Sequence, residues 1–107
     1  MDSVRLQIQR TFEFQDYVDA QFGGPGRGFY RIVTSPFEAR RVINEGKMAV
    51  ILGIETSVPF GCTFKKLPGG DLAQCDAETI DAQMDEMHDL GVRQMELVNK
   101  FDNALSG

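Results

Sequence analysis

The residue best placed to do chemistry is Glu55, which closes the stretch NEGKMAVILGIE. Ala49 to Ile54 carry no polar side chain, so the run reads as a strand covered on both faces. A carboxylate directly after such a run marks the strand's C-terminal end, where α/β proteins gather their chemistry. Side-chain alternation puts Glu55 on the face of Gly53 and Ile51. A strand-end acid can equally meet water or a neighbouring lysine. Thr34 and Ser35 close a second apolar run, and Asn99 and Asp102 follow a third.

The soft and nitrogen ligands are few: Cys62, Cys75 and His88. Three such residues cannot complete a four-ligand Cys/His zinc site. Cys62 and Cys75 bracket a stretch rich in proline and glycine. A disulfide there would close about 14 residues and contribute about 3 kcal/mol; the alternative is two free thiols. The scarcity of apolar anchors in the stretch favours the pair. Asp81, Asp85, His88 and Asp89 share a helical face, but it lies opposite the apolar Ile80, Met84 and Met87, where a solvated surface is expected. His88 therefore offers no base to a serine or cysteine nucleophile. The glycine-rich GGPGRG (Gly23 to Gly28) lacks the Lys-Ser/Thr ending of a phosphate loop, and it precedes a strand where nucleotide motifs follow one.

The elements that must position these residues follow from periodicity. Val4, Ile8, Phe12, Val18 and Phe22 predict a helix over about residues 3–21, stopped by the glycine-rich stretch. FYRIVT (Phe29 to Thr34) reads as a strand. Ser35, Pro36 and Glu38 form a capping signature for a helix over 36–45, with Gly46 as its terminator. A strand over 48–55 follows, then an irregular loop over 56–75, longer than most connections in a compact domain. Asp76 caps a helix over 77–90 that ends at Gly91, and a last strand runs over 93–98. Strands joined through helices run parallel with right-handed crossovers, so the expected class is α/β with consecutive β-α-β units.

At 107 residues, with 42% hydrophobic and 25% charged residues, the chain suits one small globular unit. No run reaches the roughly 18 apolar residues of a membrane span, and the N-terminal residues lack a signal-peptide pattern. The formal net charge of −5 disfavours nucleic acid or anionic lipid as partner.

In their order, TSPFEARRVINEGKMAVILGIE and LGVRQMELVNKFDNALSG resemble the central part of the membrane (renal-type) dipeptidase family. The family pattern has a helix ending in Glu-Gly-Lys, here Glu45-Gly46-Lys47, then an apolar strand closing on Gly-Ile/Val-Glu, here Gly53-Ile54-Glu55. Leu90-Gly91-Val92-Arg93, the strand Met95 to Val98 and the turn Asp102-Asn103 continue the likeness, which spans about Val4 to Asn103. The resemblance implies a metal-dependent amide or peptide hydrolase of the amidohydrolase type on a TIM-type (β/α) barrel. It gives Glu55 the role of a carboxylate bridging two divalent ions, usually zinc. Thr56-Ser57-Val58 stand where the family has Gly-Gly-His, and Asn99 aligns with a substrate-holding histidine, so Asn99 is implied as a substrate contact. A barrel takes roughly 250 residues, so three strands imply an internal barrel segment whose partner is the rest of the parent. Such a segment is expected to bind no metal alone, to be inactive alone and to self-associate. The competing expectation is a non-catalytic binding module.

Overall fold

The structure, a computed structural model, describes residues 2–55, 64–67, 70–73 and 76–96, with 64–67 and 70–73 as backbone. Helix α1 (Asp2–Gln21) leads through a glycine-rich turn to β1 (Tyr30–Ile32), α2 (Pro36–Asn44), β2 (Met48–Val50) and β3 (Leu52–Glu55). An antiparallel hairpin, β4 (Phe64–Leu67) and β5 (Gly70–Ala73), precedes α3 (Ala77–Asp89) and β6 (Val92–Glu96). The stretch expected as an irregular loop thus holds two strands. No helix among the described residues is long and apolar enough to cross a membrane.

Local signals account for the helix ends. Ser35 Oγ accepts from the Glu38 amide at 3.2 Å, and Pro36 occupies the first turn. At the other end Gly46 adopts φ +79°. The amides of Gly46 and Lys47 turn back to the carbonyls of Ile43 and Val42, a Schellman closure that a Cβ at Gly46 would strain. Asp76 accepts from the Thr79 amide at 2.7 Å, and this bond holds its carboxyl below the usual range.

The buried stripe of α1 differs from the apolar spacing in its sequence. Ile8 and Val18 are buried, but so is Asp19, whereas Phe12, Phe14 and Phe22 stay exposed. Polar demand explains this. The Ile32 amide points away from β2 and is met by Gln15 Oε1 at 2.7 Å, which caps an otherwise open strand edge. Asp19 accepts from the amides of Gly26 and Gly28 at 3.1 and 2.8 Å and from Arg31 Nη1 at 2.6 Å. One carboxylate therefore folds the glycine-rich turn around itself.

The strands form parallel pairs, β1 with β2 and β3 with β6. In β3, Leu52 and Ile54 are buried two residues apart; in β6, Val92 and Met95 turn to the same core three residues apart. A bulge reconciles the spacings: Leu52 pairs with Val92 and Gly53 with Gln94, leaving Arg93 as the extra residue. Ile8, Met87 and the inward residues of β3 and β6 make the core, with Val4, Ile32 and Ile80 against it.

This topology overturns the expectation of a barrel segment built of consecutive β-α-β units. The chain leaves the ladder at Ile51, and the described strands form three separate two-stranded sheets, one of them antiparallel. A barrel needs an unbroken sheet that curves from strand to strand until it closes. None of these three sheets is long enough across its strands to do so.

Gly28 lies against the Asp19 clamp: a Cβ there would sit 2.7 Å from Asp19 Oδ1 and 2.9 Å from Val18 Cγ1. Gly28→Ala should cost about 1–3 kcal/mol of stability, read by urea denaturation. Burial pushes the Asp19 carboxyl up, but the Gly26 and Gly28 amides and the Arg31 guanidinium outweigh it and leave it below its ordinary value. A depressed carboxyl contributes stability that is complete above its ordinary value of about 4 and is lost as pH falls through the folded value. Asp19→Asn should accordingly flatten the acid limb of the melting-temperature profile below about pH 4, and an unchanged limb would place that titration elsewhere.

Candidate functional site

Glu55 stands at the C-terminal end of β3, on the face opposite Leu52 and Ile54, and is exposed. Its in-register neighbour on β6 is Glu96, also exposed. Adjacent strands run about 4.8 Å apart, so two carboxylates share one strand end. Together with Gly53, Ile54 and Gln94 they line a recess of about 210 Å³. Gly53 leaves room for its neighbour: a Cβ there would already sit 3.4 Å from Gln94 Cβ. Among the described residues the ion pairs are Asp2–Arg5, Arg5–Glu86, Arg10–Glu13, Asp19–Arg31 and Glu45–Lys47, and none engages Glu55 or Glu96.

Two side-by-side carboxylates are hard oxygen donors suited to a divalent cation. They remain two, where protein zinc takes three or four protein ligands. No group of three or more His, Cys, Asp or Glu side chains that could hold a metal occurs among the described residues. These residues therefore do not make a complete metal centre.

The other sequence candidates divide clearly. Asp81, Asp85, His88 and Asp89 are exposed on α3. Thr34 and Ser35 are engaged at the start of α2: the Thr34 amide and hydroxyl donate to Glu38 Oε2 at 3.4 and 3.3 Å, and Ser35 is the cap. Asn99, Asp102 and the proposed Cys62–Cys75 disulfide lie outside the described residues. Glu96 is a site residue that the sequence does not announce, because strict period-two alternation from the buried Val92 would turn it into the core and only the bulge at Arg93 brings it beside Glu55. Arg93 was also missed as a structural anchor. Its Nε donates to the Thr34 carbonyl at 3.1 Å, and its Nη1 donates to the His88 and Val92 carbonyls at 2.8 and 2.9 Å.

Comparison with family models, curated proteins and solved structures finds no match to this chain.

Like charges opposed across a strand pair are destabilising. Glu96→Gln should therefore raise stability by about 0.2–1 kcal/mol at low salt, with the gain shrinking as salt screens the pair. Denaturation at two ionic strengths checks this; a salt-independent loss would mean that Glu96 is engaged in an attractive contact.

Proposed function

We propose that this chain supplies the Glu55 carboxylate of a metal-dependent hydrolase that cleaves amide or peptide bonds and resembles the membrane dipeptidases. The observation that carries the reading is the position of Glu55, exposed at the C-terminal end of a parallel strand beside a second carboxylate. Ions in such enzymes polarise a carbonyl and activate water. The described residues offer two donors, so in this reading the remaining ligands come from outside them, and the resemblance implies that the chain by itself is inactive. Glu55 would suit a bridging position because the two oxygens of a carboxylate can each bind one cation while its charge offsets theirs. Asn99 hydrogen-bonds the substrate carbonyl in this reading, by the same resemblance.

The exposed apolar side chains support an incomplete unit. Phe37 is 80% exposed, Tyr17 62% and Ile43 60%, apolar side chains open to burial against a further element or partner. The rest of the parent protein covers them, and the isolated chain self-associates. The same surface favours the second reading, a non-catalytic interaction module.

The complete gene product carrying this chain should contain a divalent metal and hydrolyse dipeptides. Glu55→Gln in that protein should lower both metal content and turnover, the latter by about 100-fold or more. Elemental analysis beside a dipeptide assay reads this out. A Glu55→Gln variant that keeps both would end the proposal, and a metal-free, inactive wild type would shift the assignment to the interaction module.

A further inference from the structure

The break at Ile51 opens a cleft of about 650 Å³ between the start of α2 and β6, within the range typical of small-molecule sites. Val33, Pro36, Ala39 and Ile51 give it apolar walls, and Arg40, Arg93 and Gln94 its main polar groups. Ile51 is 57% exposed, a large side chain left open to water where no neighbouring strand covers it.

Charge gives the cleft its selectivity. In a chain of net charge −5, Arg5, Arg10, Arg31 and Lys47 are each paired with a carboxylate. Arg27, Arg40, Arg41 and Arg93 have no carboxylate within ion-pair distance among the described residues, and two of these, Arg40 and Arg93, line one cavity. Arg93 is preorganised, because Nε and Nη1 are tied to three backbone carbonyls while none of these bonds uses Nη2. The Arg40 guanidinium lies 5.8 Å from the Phe37 ring centroid. The nearby Glu38 carboxylate is turned to Thr34. Arg93 Nη2 is thus left to donate a charge-assisted hydrogen bond to an oxyanion, and Arg40 lines the same cleft.

We propose that this cleft binds an amphiphilic small-molecule carboxylate, its head group between Arg40 and Arg93 and its apolar tail against Val33, Pro36 and Ile51. A neutral head group would leave Arg93 Nη2 and the Arg40 guanidinium to water alone. The site stands on the cleft alone and does not depend on the hydrolase reading, since Glu55 takes no part in it.

Octanoate, below its self-association range, is the probe. Calorimetric titration of the full chain should give saturable binding at one site, with octanol and octyltrimethylammonium giving none. Arg40→Gln and Arg93→Gln should each weaken octanoate binding about 10-fold. Circular dichroism and the denaturation midpoint report whether Arg93→Gln still folds; Arg40, which anchors no backbone carbonyl, carries the test alone if it does not. Equal binding of octanol would overturn carboxylate recognition. Unsaturable octanoate uptake, or binding unchanged in Arg40→Gln, would overturn the site.

Discussion

The parity of β6 is the constraint on which the rest of the structure depends. Read strictly by twos, Val92, Gln94 and Glu96 would share a face, sending an amide and a carboxylate into the core and Met95 to solvent. One extra residue, Arg93, changes this. Val92 and Met95 both reach the core, Gln94 and Glu96 both turn outward, and Glu96 arrives beside Glu55. The residue displaced by the bulge also reaches across to Thr34. A single irregularity thus sorts the core from the acidic strand end and anchors the wall of the adjoining cleft.

Helix α1 depends on a different balance. Its buried side includes Gln15 and Asp19 among aliphatic residues, because the strand edge and the glycine-rich turn present amides that must be met. Hydrogen bonds to an ionised acceptor are stronger than neutral ones, and Asp19 gathers four of them. The glycine-rich turn therefore wraps an internal anion contributed by α1. That gives its glycines a structural reason, since at Gly28 any larger residue would meet the carboxylate.

Features decided by neighbours in sequence were legible. Ser35, Pro36 and Glu38, the closing Gly46, and Asp76 all act within four residues of themselves, and their geometry follows from composition. The end of the apolar run at Glu55 was equally plain. Features decided by partners distant in sequence were hidden. The run Met48 to Ile54 has no polar residue to announce its break at Ile51, because an apolar side chain suits a ladder and a kink alike. The exposure of Phe12 and Phe22 could not be read from helical spacing, since the competing demand comes from β1. The bulge that pairs Glu96 with Glu55 depends on the register of β6, which a list of strands does not contain. The barrel expectation failed for the same reason: it joined strands into one sheet where the chain interrupts the ladder.

The reach of α1 has a consequence for how the chain acquires its structure. Its N-terminal half packs against the β3–β6 core through Ile8, and Arg5 meets Glu86 across 81 positions of sequence. Its C-terminal half holds β1 through Gln15 and Asp19. During synthesis α1 must therefore wait for β6 before its contacts are complete. Closing so long a loop slows assembly, and the apolar stripe of α1 stays open to other chains in the interval. Helix α1, made before the strands it packs on, is among the last of these elements to be locked in place.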